Sequence, residues 1–345
     1  MKKTRIHLNP PTEAPVEKYV ELKIPESTYH LFHAVFDRPI TGPTEDFKTY
    51  HAKSREMNDA LYPFPECFAE KGAPKGRVVS GTLQDSVFYP GTTHDYWVYI
   101  PAQYKETVPA NLIVIYDGAF FIAEMENGTS LITLFDNLIA EGQLPVSIVF
   151  FAGFGVPGPG QPINGFSEGE VNRSFEYDTT SDWNARFLTE EFMPAALAGY
   201  NISADPADHA ICGMSSSGIA AFSTAWFKPE YFGNVCMGSA TFANIRSGIV
   251  WPYAIRACEK KNLKIFSIVG KHDADSYFGN TFNSNYDVGC ALRFAGYEHR
   301  LYITQSGHNG RVYRRFLPEG LAWLFNNVAP QMEHCELATY SELLR

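Results

Sequence analysis

The residues that could do chemistry fall in one order along the chain. A serine lies in Cys212-Gly213-Met214-Ser215-Ser216-Ser217-Gly218-Ile219-Ala220, carboxylates in Gly270-Lys271-His272-Asp273-Ala274-Asp275, and a histidine in Gln305-Ser306-Gly307-His308-Asn309-Gly310. A serine hydroxyl is a weak nucleophile until a base takes its proton, and a carboxylate can hold that base in the needed tautomer, so the three types together suit acyl chemistry through a covalent intermediate. The serine segment follows an apolar run and precedes a helix-like run, Ile219 to Phe227, which is the setting of a nucleophile elbow. Such a turn strains the serine's backbone and needs small residues two places before and two after it; here these are Gly213 and Ser217. A strict G-x-S-x-G is absent, because Ser217 stands at the second glycine and Gly218 comes one place later. The strain argument favours Ser215 over Ser216 or Ser217. The competing reading is a Ser-rich helix start in which one hydroxyl only caps the helix.

The other two candidates sit at predicted strand ends. Leu263 to Val269 has a buried-strand pattern and leads into the Asp273 and Asp275 segment, while Leu301 to Thr304 reads as a strand leading into His308. A parallel sheet presents such positions together at its carboxyl-terminal edge. Of ten histidines only His308 has this setting. His272 is the rival, but a base next in sequence to its acid is badly placed to bridge acid and serine. His94 and His209 read as ordinary surface or strand-end residues.

These blocks belong to a wider pattern. Residues from about Gly76 to Phe325 resemble the esterases related to enterochelin esterase and feruloyl esterase, through Tyr89-Pro90-Gly91-Thr92 with Asp95-Tyr96-Trp97-Val98-Tyr99, Tyr116-Asp117-Gly118, Phe135-Asp136-Asn137-Leu138-Ile139, Asn172-Arg173-Ser174-Phe175-Glu176-Tyr177-Asp178, the serine turn, Leu292-Arg293-Phe294-Ala295-Gly296-Tyr297 and Gly307-His308. The resemblance implies an α/β-hydrolase fold, with Ser215 as nucleophile, His308 as base and the acid in the Gly270 to Asp275 loop. Aligning Gly270 with the family's glycine favours Asp273, with Asp275 as the fallback. Ser217 departs from the family pattern and bears on how open the space beside the nucleophile is. In this fold two backbone N–H groups meet the oxyanion, one from Ser216 and one from the loop after the third strand, where Gly118 or Ala119 would supply it. Asp117 reads as an aspartate capping its own turn. The resemblance also brings Arg173, Glu176 and Tyr177 near the site, where Arg173 and Glu176 would pair to brace the pocket or touch substrate; otherwise the segment is a surface loop capping the next helix.

Composition bounds this reading. The chain has 345 residues, 45% hydrophobic and 14% aromatic, with a formal charge of −10. The aromatic share suits a pocket that stacks sugars or phenolic rings. The negative charge argues against nucleic acid and anionic membranes, and against a polyanionic substrate such as an iron-chelate ester. Six cysteines show no C-x-x-C or zinc-type spacing, and Cys212 and Cys236 read as small buried hydrophobes. His272-Asp273-Ala274-Asp275 lacks the spaced partners a metal needs, so neither metal nor cofactor is expected. No apolar run of membrane-spanning length and no secretory signal is seen, which makes a cytoplasmic protein the expectation, or a secreted or periplasmic one if a signal was removed.

The elements that must position these groups alternate. Strands are predicted at Arg77 to Leu83, Asp95 to Pro101, Asn111 to Tyr116, Ser147 to Ala152, Asp208 to Gly213, Gly233 to Gly238, Leu263 to Val269 and His299 to Thr304. Helices are predicted at Ser130 to Glu141, Ser181 to Tyr200, Ile219 to Phe227, Asn283 to Ala295 and Tyr313 to Asn327. The alternation predicts a mostly parallel sheet flanked by helices, over residues 76–330. Residues 1–75 are punctuated by prolines yet rich in aromatics, and read as an extended arm that packs on the main domain or on a second subunit of a homo-oligomer; residues 331–345 form a tail. The glycine-rich stretch from Gly153 to Pro162 reads as a lid or pocket wall, and the loop through Phe242, Arg246 and Trp251 as another wall of the same cleft. The function expected is a serine esterase acting on an acyl or phenolic ester of a carbohydrate or other small polar molecule. Acyl transfer by the same triad, siderophore ester hydrolysis and a non-catalytic binding role are the alternatives.

Overall fold

The computed structural model describes residues 62, 64–125, 128–157, 168–276, 278–326 and 336–337. Eight strands form one sheet: β1 (Arg77–Leu83), β2 (Thr92–Ile100), β3 (Asn111–Tyr116), β4 (Ser147–Ala152), β5 (His209–Met214), β6 (Asn234–Gly238), β7 (Lys264–Gly270) and β8 (Glu298–Thr304). Their spatial order is β1-β2-β4-β3-β5-β6-β7-β8. β1 and β2 pair antiparallel, as do β2 and β4, and every pairing from β4 to β8 is parallel. Two-residue strands at Val156–Pro157 and Glu336–Leu337 extend the sheet beside β2 and β8.

Strand periodicity explains the layers. Along β3, Leu112, Val114 and Tyr116 face one apolar cluster, and Ile113 and Ile115 face the other. All of β4, β5 and β6 is buried, as parallel strands covered on both faces must be. One face is covered by α4 (Ser216–Phe227), α5 (Trp251–Ala257), α6 (Thr281–Phe294) and the helical stretch through Phe187 and Phe192. The other is covered by α2 (Leu131–Ala140) and α7 (Gly310–Asn326), with α1 (Gly118–Ile122) contributing Phe121. α3 (Glu168–Tyr177) lies against α4.

The predicted strands are present within three residues at each end. The single helix expected over Ser181 to Tyr200 is instead an α turn at Trp183–Arg186, a π turn at Phe187–Phe192 and an α turn at Met193–Ala196. The helix after Ser215 begins at Ser216 rather than Ile219. Cys212 and Cys236 are fully buried register partners on β5 and β6, and both are free thiols.

Most of the amino-terminal arm and of the carboxyl-terminal tail lies outside the described residues, as does 158–162 of the glycine-rich stretch. Where the arm is described it packs on the domain. Tyr62 meets Phe316 edge-on at 5.6 Å, its hydroxyl accepts the Gln305 N–H at 2.8 Å, and Asn137 of α2 donates to the Cys67 and Ala69 carbonyls. No helix among the described residues is long and apolar enough to cross a membrane.

Candidate active site

β5 ends in the turn that carries Ser215, whose backbone is held at φ 62° and ψ −129°. That conformation is costly for a residue with a side chain and persists only where the surroundings fix it. Here the Ser215 N–H donates to the Gly238 carbonyl at 2.9 Å, and its own carbonyl accepts from Gly218, Ile219 and Thr241. Gly213 is obligatory, because a Cβ there would sit 2.1 Å from the Ser217 carbonyl oxygen. The departure at Ser217 is accommodated without narrowing the space beside Ser215. Its hydroxyl folds back onto Met214, accepting from the N–H at 2.9 Å and donating to the carbonyl at 2.7 Å, and the side chain is wholly buried.

Beyond β7 and β8 the structure brings Asp273 and His308 together. His308 Nδ1 lies 2.7 Å from Asp273 Oδ1, which also accepts the Ala274 N–H at 2.7 Å. The other carboxylate oxygen accepts the Ser239 hydroxyl at 2.5 Å. The Asp273 side chain is fully buried while His308 keeps 24% exposure, so the ring reaches solvent and the acid does not. Asp275, the fallback, is exposed on the two-residue strand Asp275–Ser276, and His272 is exposed as well.

Ser215, Ser216 and His308 line one cavity of about 520 Å³ together with Gly118, Ala119 and Arg173. Trp97, Phe120, Phe121, Phe154 and Phe278 supply most of its aromatic surface. Between β3 and α1 the chain turns at Asp117, held at φ 57°. Gly118 lies so close to β4 that a Cβ would meet the Phe151 carbonyl group at 2.7 Å. The Asp117 carbonyl accepts from Phe120 and Phe121. The N–H groups of Gly118 and Ala119 precede them in the first turn, where a helix has no carbonyl of its own to receive them.

Four sequence readings are corrected here. Arg173 and Glu176 do not pair with each other. Arg173 grips Asp117 instead, with Nε and Nη2 donating to its two carboxylate oxygens at 2.7 and 2.6 Å, and Tyr177 accepts the Asp117 N–H at 3.4 Å. Asp117 therefore makes no side-chain cap of its own turn. Glu176 is fully buried and accepts from the Gly155 N–H, from Asn172 Nδ2 at 2.7 Å, and lies 3.1 Å from His94 Nε2. His94, read as an ordinary residue, is fully buried among Tyr89, Phe187 and Phe192. This His94–Glu176 pair anchors the backbone beside Phe154, a wall of the cavity. In the loop after β6, Phe242 and Trp251 are core residues, and it is Thr241, Ala243 and Ile245 that reach the cavity. Arg246 runs to Ser174 Oγ at 3.4 Å and lies over the Phe175 ring.

Asp178 belongs to the block that carries the resemblance but is given no role by it, and Arg314 carries no signal beyond its charge. Asp178 is fully buried close to the Ser174 and Ser216 side chains. Burial pushes its carboxyl up to about 6, against the pull of Arg173, the nearby Ser174 and Ser216 hydroxyls, and Arg246. Arg314 comes from α7, four residues into the helix that follows His308, and ends at the carbonyls of α1.

An open sheet of this strand order, with a strained serine after β5, an acid after β7 and a histidine after β8, defines the α/β-hydrolase class. The profile of the "Putative esterase" family matches residues 90–322, and the chain belongs to that family, making it a carboxylic ester hydrolase. Among solved structures it resembles a ferulic acid esterase at 18% identity, TM-score 0.54, over 73% of this chain and 98% of that one. The enterochelin esterase from Shigella flexneri is similar at 17% identity and TM-score 0.60, over 77% of this chain and 62% of the other. A CE1 ferulic acid esterase from Anaeromyces mucronatus, solved with ferulic acid, is similar at 15% identity and TM-score 0.57, over 76% and 96%. At these identities the likeness speaks for the fold. No curated protein sequence matches the chain.

Proposed function

We propose that the chain hydrolyses a neutral ester with an aromatic or apolar acyl group, using Ser215, His308 and Asp273. The observation that carries this reading is the buried Asp273 carboxylate 2.7 Å from Nδ1 of His308, which lines the same cavity as the strained Ser215. With Asp273 accepting from Nδ1–H, the His308 Nε2 lone pair is left to take the Ser215 proton as Oγ attacks the ester carbonyl. The carbonyl oxygen becomes an oxyanion, met by the N–H groups of Ser216 and of Gly118 or Ala119. Collapse expels the alcohol, which takes the proton from His308. Water then attacks the acyl-enzyme with His308 again as base, returning the carboxylic acid and free Ser215.

The aromatic lining supports a phenolic or other apolar acyl group, and the alcohol would project toward solvent, where a carbohydrate could be carried. Asp95 and Asp117 both line the cavity, and Arg173 is already committed to Asp117, so the walls favour a neutral acyl group over a polyanionic chelate. Ferulic acid and enterobactin esterases are among the structural relatives, and the charge balance favours the first kind of substrate.

The test is labelling with a serine-reactive fluorophosphonate, followed by peptide mapping. One adduct on the peptide holding Ser215, absent in folded Ser215→Ala, is expected, with feruloyl and acetyl aryl esters turned over by the wild type alone. Folded wild type without an adduct would remove the proposal.

A further inference from the structure

Resting on the reading above, we infer that Arg314 is a positioning residue for the oxyanion donors: it holds the far end of α1 so that the N–H groups of Gly118 and Ala119 stay aimed at the Ser215 site. α1 has five residues, too few to sustain itself as a helix in water. Its direction is therefore set from outside. At its start the Asp117 turn is held by Arg173 and Tyr177. At its end Arg314 Nη2 donates to the Phe120 carbonyl, Nη1 donates to the Ala123 carbonyl at 3.2 Å, and the guanidinium lies 4.7 Å over the Phe120 ring and 5.3 Å from Phe121. These are terminal carbonyls that a short helix cannot satisfy alone.

Arg314 is costly for a packing residue. It is 4% exposed, its Nε has no partner, and among the described residues no carboxylate pairs with it. Burying a cation without a counter-ion is unfavourable, and an apolar side chain of similar length would fill the same space without that penalty. What an apolar chain could not do is donate to two backbone carbonyls on a segment 191 and 194 residues away. The guanidinium also starts from α7, whose first residue, Gly310, stands two places after His308 and packs against Phe120. One side chain thus ties the loop of the base to the turn of the oxyanion donors.

The experiment compares Arg314→Met and Arg314→Lys with the wild type on an aryl ester, with binding of an aryl trifluoromethyl ketone, whose adduct places an oxyanion in the hole, measured alongside. Both variants are first checked for wild-type circular dichroism and cooperative thermal unfolding. Arg314→Met is expected to lose about thirtyfold to a hundredfold in kcat, less than deleting a donor outright, with KM within about twofold. Ketone affinity should fall by the same factor, and Arg314→Lys should recover part of the loss. If Arg314→Met does not fold, Arg314→Lys alone should lose fivefold or more in kcat and in ketone affinity together. A folded variant whose kcat and ketone affinity stay within twofold of wild type would overturn the inference, and so would a loss confined to KM. Failure of the esterase reading looks different, since the wild type itself would then take no fluorophosphonate at Ser215.

Discussion

The two walls of the cavity are built by opposite means. On one side Asp273 and His308 leave adjacent parallel strands, β7 and β8, and meet because the sheet sets their strand ends side by side. On the other side the Asp117 turn is held by Arg173 from α3 and the end of α1 by Arg314 from α7, two residues that lie 56 and more than 190 positions further along the chain. The first arrangement is made by topology and the second by long side chains reaching across it. A sheet is rigid and forgiving of local change, whereas a turn clamped by two guanidinium groups depends on each of them.

The comparison predicts unequal failures. Asp273→Asn should leave the fold intact and lower kcat by about ten-thousandfold, because the amide cannot hold the imidazole in the required tautomer. Asp275→Asn, on the exposed neighbour, should stay within about twofold, and an equal loss in both variants would show that the loop and not the pairing matters. On the clamped wall, Arg173→Met should cost about tenfold to a hundredfold in kcat, with Arg173→Lys intermediate because an ammonium cannot grip both Asp117 oxygens. A fall in KM-limited binding alone would move Arg173 from holding the turn to touching the substrate.

The same contrast explains what could be read from the sequence. The elbow, the strand-end acid and the histidine loop are local patterns, in which Gly213, Ser215 and the run before Asp273 carry their own spacing signal. The partners of Asp117 and Glu176 are not local. The resemblance brings Arg173 and Glu176 together as a pair, yet the fold turns one toward α1 and the other toward His94 on β2. His94 carried no signal, since a lone histidine in an aromatic strand looks the same whether it faces water or a buried carboxylate. Phe242 and Trp251 illustrate the reverse error, because aromatic residues in a loop after a strand are as apt to close the core as to line a cleft. The π turn at Phe187–Phe192 has no marker in composition, and it places two stacked rings against the His94 imidazole.

Asp178 offers a test on stability rather than rate. Its carboxyl titrates near 6 in the folded protein and at the model-peptide value of 3.8 when unfolded. Between those values the unfolded chain binds fewer protons, so wild-type stability falls as pH rises through this window, and above it the whole penalty is present. Asp178→Asn removes the penalty. The variant should be more stable than wild type by about 1–2 kcal/mol at pH 8, allowing for imperfect amide contacts, and most of that advantage should be gone at pH 5, where the charge penalty is about 1–1.5 kcal/mol smaller. Urea unfolding at the two pH values measures it, and an advantage that does not shrink at pH 5 would mean that packing, not charge, governs the site.

The smallest effect sharpens the comparison most, because it acts inside the wall that topology already secures. Ser239, itself held at φ 41°, donates its hydroxyl to Asp273 at 2.5 Å, while Ala274 N–H and His308 share the other oxygen. Removing one neutral donor from a carboxylate that keeps two partners should leave the His308 contact in place and weaken only its orientation. Ser239→Ala should therefore lose about threefold to tenfold in kcat, with KM little changed. Steady-state kinetics of the folded variant on an aryl ester decide the matter. A loss as large as that of Asp273→Asn would mean that the strand ends alone do not hold the acid, and that this wall, like the other, is kept in place by a single side chain.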